Sequence, residues 1–550
     1  MTRHIRGNFI GTAIAAVAAL GLGMAAQTSS AKADAANGVL RVGTTFSCSS
    51  LNPYTTTQSS CLAALRLMYP SLGQASGTDV EPDLAESWTS NADATVWTFK
   101  IRSGGKWSDG QPLTAKDAAF TIDMLLKHIE GSTARRARSI STVEKAEAPD
   151  ESTLVVTFKQ PTANALGRLA QLLIMPEHVW APLSEGDGAK IASFANDQPV
   201  AGGPFKLARF VADQIILMQP MDGYFGAAPA LKGVGIQFFT DSTAMVQALI
   251  NKQLDIVTPL PATSVDAVRK AGVEVANYPG LRFHSWLFNS SENQKKFPEI
   301  RDVKLREAFA HAIDRKKIAE VAYLGFATPG DSMVPKVTGQ WSNPNVVGET
   351  FDLDLANKIL DDAGYAKGAD GWRTANGHRM SYHVLIPANV EGAEGLRALE
   401  IATADFKKIG VELIAEQSDN ATVAAAITGP DNTFADATIA QWGWIPQMDP
   451  DFILSVVLCS QIGGLSETAY CNKDYDDLYA AQAKEVDPEK RKAIVWKMQE
   501  ILQRDRPYIV TVQQNNVEAH VPGWSGFTEN PIGFLDYTSN QTFMSMKPAN

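Results

Sequence analysis

Strands and helices alternating along 550 residues predict a mixed α/β fold, and three observations carry that prediction. Near residue 100 an amphipathic strand, a glycine-rich turn and a capped helix follow one another. Short apolar or alternating segments recur at Leu154–Phe158, Gly235–Phe239, His383–Ile386 and Val411–Ala415, each bounded by turn residues as strands are. Leu305, Ala308, Phe309, Ala312 and Ile313 fall at helical spacing behind Asp302, and Glu489–Leu502 reads as another amphipathic helix. No tandem repeat, low-complexity tract or long linker divides the chain, so composition alone draws no domain boundary.

The first of these elements runs from Leu84 to Phe120. Trp97, Phe99 and Ile101 alternate with Thr98, Lys100 and Arg102, which gives a strand one apolar and one wetted face. Gly104, Gly105, Asp109 and Gly110 surround Trp107 with turn chemistry. Thr114, followed three residues later by Asp117 and then by Ala118, Ala119, Phe120 and Ile122, has the spacing of a reciprocal helix cap.

Composition narrows the function classes. With 49 Lys plus Arg against 60 Asp plus Glu the formal charge is −11, which argues against binding nucleic acid through phosphate neutralisation. Residues 1–33 read as a secretory signal peptide: Arg3 and Arg6 precede an apolar stretch from Phe9 to Ala26, and Ala31-Lys32-Ala33 offers a cleavage pattern. No cysteine sits at that point to accept a lipid, so a free periplasmic protein beginning at Asp34 is expected. Export makes disulfides the default for Cys48, Cys61, Cys459 and Cys471. Three pairings are possible, and the local pairs Cys48–Cys61 and Cys459–Cys471 are favoured because each closes a short loop. Neither spacing matches a zinc pair.

The catalytic motifs of hydrolases and nucleotide enzymes are missing from the chain: there is no G-x-S-x-G elbow, H-E-x-x-H pair or Walker lysine loop. Asp474, Asp476 and Asp477 lack the glycine and distal glutamate of a calcium loop, and Asn472 reads as a helix cap beside them. The expectation is therefore a binder without catalytic residues, metal or cofactor.

The run from Leu84 to Phe120 resembles the extracytoplasmic solute-binding proteins of peptide-type ABC importers, the oligopeptide- and dipeptide-binding proteins. Pro199–Phe205, Phe288–Asn289, Arg301–Arg315, Ala356–Tyr365 and Trp442–Pro450 extend the resemblance in the same order. It implies a two-lobed α/β fold with an inserted subdomain and a two-strand hinge. Lobe I would take residues 34–79, 191–281 and 509–550, the insertion 80–190, and lobe II 282–508. It also implies a monomer that captures a small solute, a peptide first, and delivers it to a permease in the inner membrane.

In that family a Trp after Gly lines the cleft, and an acid three residues on pairs with the peptide ammonium. By this resemblance Trp444 is the cleft residue, but Gln447 stands where the acid belongs and carries no charge. The alternative is thus a non-peptide solute such as an oligosaccharide, an opine-like conjugate or a metal chelate; the rival class is a secreted peptide hydrolase, for which the sequence offers no nucleophile–base pair. Asp449 is the nearest replacement anchor, against a turn role before Pro450. Trp442 shares a strand face with Trp444 and serves either core or cleft. Thr56 and Thr57 in the loop Asn52–Gln58 offer neutral hydrogen bonds to solute, and Tyr508 is a further candidate.

Overall fold

The computed structural model describes residues 37–428, 434 and 437–549. The leader assigned to residues 1–33 lies outside them.

The local elements form where the sequence places them. The strand near residue 100 is Val96–Ile101, and Ala115–Lys127 follows as a helix with Thr114 as its cap. Lys116 N–H donates to the Thr114 hydroxyl, and Thr114 N–H donates to Asp117 Oδ2 at 2.9 Å, so two orphan donors of the first turn are satisfied reciprocally. Asp302 caps Val303–Ala312, which stops one residue before the expected Ile313 because that residue is already extended. The later helix is longer than its periodic core, Pro488–Asp505, because Asp487 caps it and Pro488 suits its first position. Asn472 caps Lys473–Gln482.

Val96–Ile101 belongs to a four-stranded antiparallel sheet with Ala85–Ser90, Thr153–Phe158 and Val143–Asp150. The largest sheet has eleven strands, and three two-stranded sheets accompany it among the described residues. From one edge it runs through Glu412–Ser418, Ser381–Pro387 and Ile439–Trp444 to two long strands, Glu274–Phe288 and Tyr508–His520. It continues through Ile256–Val257, Val39–Thr44, Gly233–Phe238, Ile215–Pro220 and Phe205–Val211. Ala327–Pro329 adds to Tyr508–His520 off this path.

The two long strands join distinct cores. Buried apolar residues from Leu40 to Val273 cluster with Val517, Ala519, Phe534 and Met546. Trp286, Phe309, Tyr382 and Phe406 form a second cluster together with Ile509 and Val512, and Phe283, Trp341, Tyr475 and Met498 form a third on the opposite face of the same sheet. The second long strand therefore changes core between Val512 and Val517. In its partner strand the register breaks between Pro279 and Phe283. Gly280 occupies that break because a Cβ there would lie 2.8 Å from the Gln514 carbonyl oxygen.

Away from the long strands the two ends of the molecule also touch. Arg168 Nη2 donates to Asp451 Oδ2 at 2.8 Å, and Ala163 N–H donates to the Ala483 carbonyl at 2.9 Å. Among the described residues no helix is long and apolar enough to cross a membrane.

Phe309 is fully buried, with ring centroids 4.9 Å from Phe406 and 6.1 Å from Tyr382. Phe309→Ala is expected to destabilise the protein by about 3–5 kcal/mol through lost transfer energy and a cavity. A urea midpoint equal to that of the parent would refute this packing role.

Candidate functional site

Parallel strands collect ligands beyond their carboxyl ends, where loops are free to vary. Two such places exist here. Val39–Thr44 runs parallel to Gly233–Phe238 and Ile256–Val257, while Ser381–Pro387 runs parallel to Glu412–Ser418 and Ile439–Trp444. The two long strands connect them.

Beyond Thr44 the chain enters a loop closed by the Cys48–Cys61 disulfide, with Cα atoms 5.1 Å apart. Asn52 anchors it: its side-chain amide donates to the carbonyls of Ile191 and Phe194 at 2.7 Å, and its oxygen accepts from Tyr54 N–H. Ser49, Ser50, Thr55, Thr56, Thr57 and Gln58 line a cavity of about 280 Å³. Thr56 is buried and its hydroxyl accepts from Gln58 N–H, whereas Thr57 is exposed. Gln58 is spent on the loop itself, accepting from Ser49 N–H at 2.8 Å and donating to the Ser47 hydroxyl at 2.6 Å.

The other wall begins at Trp444. Trp442 and Trp444 pair with Ser285 and Phe283, so both lie on the same sheet face, half-buried against the third core. Trp444 meets Phe452 edge-on at 5.8 Å, and its indole N–H donates to Glu467 Oε2 at 2.9 Å. Tyr508 is buried, and its hydroxyl donates to the same oxygen at 3.3 Å. Three side chains far apart in sequence thus converge, two of them expected and Glu467 not. Burial pushes the Glu467 carboxyl up to about 8, against the pull of the bonds from Trp444 and Tyr508.

Gln447 lies just past the strand end, half-buried. Asp449 is committed elsewhere: Arg491 grips both its oxygens at 2.6 and 2.8 Å, and Oδ1 also accepts from Asp451 N–H. A bidentate guanidinium leaves that carboxylate little capacity for a solute cation, and the bond to Asp451 is the turn role weighed for it. The second disulfide, Cys459–Cys471, brackets the segment that carries Glu467. Both disulfides are the local pairs favoured on loop length.

A second polar group that sequence reasoning missed lies where the long strands meet. His284 Nδ1 is 3.0 Å from both oxygens of Glu391, its Nε2 is 3.0 Å from Gln514 Oε1, and Gln441 Nε2 donates to Glu391 at 2.7 Å. Burial opposes ionisation of Glu391, but His284 and Gln441 outweigh it and hold the carboxyl below its ordinary value. Neither this group nor Glu467 has a spacing that marks it in the sequence. The only local signal for Glu467 is an acid enclosed between two cysteines.

One core cluster at one end and two at the other, two crossing strands and two facing sets of carboxyl-end loops define a two-lobed periplasmic-binding-protein fold. The chain belongs to the bacterial extracellular solute-binding proteins of family 5, whose middle-region model matches residues 79–464. It is 25% identical over 524 residues to the glutathione-binding protein of Escherichia coli, covering 92% of this chain and 95% of that one. It is 30% identical over 359 residues to a Brucella ovis protein named as an ABC transporter peptide-binding protein, a match covering 62% of this chain and 60% of that relative's length. Among solved structures, an ABC transporter substrate-binding protein from Listeria monocytogenes superimposes with a TM-score of 0.80 at 24% identity, covering 94% of this chain and all 100% of that one. A Bacillus subtilis oligopeptide-binding protein in complex with a nonapeptide gives 0.75 at 21% identity, covering 93% and 99%.

Two outcomes follow from the site's charges. Asp449→Ala leaves the Arg491 guanidinium buried without its partner and should cost about 3–5 kcal/mol, read as a lowered urea midpoint. Because Glu467 has a folded value near 8, above an unfolded value of about 4.3, the stability it contributes as a neutral acid is full below the unfolded value. That contribution is lost as pH rises through the folded value. The urea midpoint of the parent should therefore fall relative to Glu467→Gln between pH 5 and pH 9; parallel profiles would contradict the assignment.

Proposed function

We propose that this protein is the solute-capturing component of an ABC importer. It works in the periplasm after removal of residues 1–33, as a monomer, and hands its cargo to an inner-membrane permease. Lobe I takes residues 34–79, 191–281 and the C-terminal tail, residues 80–190 are its inserted subdomain, and lobe II takes 282–508. Its hinge is the pair of long strands around Gly280 and Gln514, in line with hinge closure as a means of burying a small solute.

The observation that carries this reading is the pair of facing walls. A disulfide-closed threonine loop stands at one set of carboxyl ends, and the Trp444 face stands at the other. A peptide suits both, since Thr56 and Thr57 offer hydrogen bonds to amides and Trp444 offers an apolar platform. Relatives named for glutathione and D,D-dipeptides point to the same solute class. Gln447 favours a second reading, a neutral or non-peptide solute, because it supplies no carboxylate at the strand end.

Calorimetry with short peptides and maltotriose separates the two. Tripeptides should bind and maltotriose should not, with lobe closure read as a smaller radius of gyration in solution scattering. Trp444→Ala should weaken the peptide by roughly 30-fold or more, the loss typical of a buried aromatic anchor. An unchanged dissociation constant would remove Trp444 from the site.

A further inference from the structure

Buried acids among the described residues either meet a cation, as Asp405 meets Lys408 while its other oxygen has no partner, or have both oxygens bonded. Asp449 is gripped by Arg491, and Asp255 by Arg41. Among the described residues Glu518 has no cation beside it, yet the Thr258 hydroxyl and Phe534 N–H donate to one oxygen and the Tyr278 hydroxyl to the other. Such a carboxyl is satisfied without charge neutralisation.

Glu467 differs. It is 1% exposed, and both of its hydrogen bonds, from Trp444 and Tyr508, go to Oε2. Among the described residues Oε1 accepts no hydrogen bond, and no Lys, Arg or His lies within ion-pair distance of the carboxyl. Two apolar side chains close by in the chain are exposed: Ile445 at the strand end, 38%, and Ile462 in the same disulfide-closed segment, 40%. Gln447, next along, carries no charge to serve a cation.

We propose that Glu467 is the acid that receives a cationic nitrogen of the solute at its open Oε1, beside the Trp444 ring. The inference rests on the reading of the Trp444 wall as the solute site. A cation there gains a charge-assisted bond in a desolvated setting and, from the indole, a cation–π contact. Glu518, which likewise lacks a cation among the described residues, has both oxygens bonded, and Asp405, which leaves one oxygen free, has Lys408 on the other; Glu467 has neither compensation. The two bonds on Oε2 fix the carboxyl plane and leave Oε1 as the acceptor, so the solute's nitrogen is read by position as well as by charge.

The test is calorimetry on the full mature protein with five probes: trialanine, N-acetyl-trialanine, arginine, spermidine and maltotriose. Trialanine should bind at least tenfold more tightly than its acetylated form, and Glu467→Gln should abolish that difference. Binding near pH 7 should release about one proton in the parent, as the neutral acid ionises against the cation, and none in the variant. The comparison of free with acetylated peptide needs no variant, so a folding defect in Glu467→Gln does not blunt it. Equal binding of both peptides, with affinity unaffected by Glu467→Gln, overturns the proposal and leaves the peptide function standing. Binding of arginine or spermidine that depends on Glu467, with no peptide bound, upholds the proposal and overturns the peptide function. Preference for maltotriose, or no binding by any cationic probe, overturns the proposal.

Discussion

The antiparallel pairing of Glu274–Phe288 with Tyr508–His520 is the constraint on which the rest of the structure depends. These two strands are members of one sheet, yet their side chains enter different cores along their length. Phe283 and Leu287 pack on one face of the far half, Trp286 and Phe288 on the other, while Val517 and Ala519 return to the near half. A ladder of backbone bonds resists shear, so the halves keep their register even where the packing changes hands. The break at Gly280 is where that ladder is interrupted, and a glycine is needed there because the partner backbone passes too close for a side chain.

Around this link the molecule handles buried charge in three ways. Asp449 and Arg491 neutralise each other by a bidentate bond. Glu391 is bonded by His284 on the first long strand and by the Gln441 amide on the neighbouring strand Ile439–Trp444, which ties the near end of the helix Ala388–Lys408 to the crossover. Glu467 has only neutral donors, on one oxygen, and responds by holding its proton to about pH 8. The first two arrangements stiffen the scaffold. The third leaves a buried acid beside the Trp444 ring with no cation among the described residues to favour its ionisation.

Much of the local structure was legible in the chain. The alternation of Trp97, Phe99 and Ile101, the Thr114–Asp117 cap and the short-loop disulfides each depend on neighbours a few residues apart, where geometry follows from spacing. Helix ends were less exact, as Ile313 and Pro488 show, because a cap or an extended residue outside the periodic core sets the limit. The candidate site was legible in part. Trp444 and Tyr508 could be named one by one, but nothing in their spacing said that they meet, since 64 positions of chain separate them and the common partner, Glu467, has no motif.

The sequence by itself determined the fold class, the family and the element starts, because hydrophobic period, turn residues and caps act over short range. It also determined that no carboxylate occupies position 447. The tertiary structure alone decided which acid stands beside Trp444 and which is already spoken for. Asp449, the nearer in sequence, is held by an arginine 42 residues away, and Glu467, the farther, is left with an open oxygen. Charge compensation is a contact between side chains brought together by packing, and no reading of spacing along the chain can assign it.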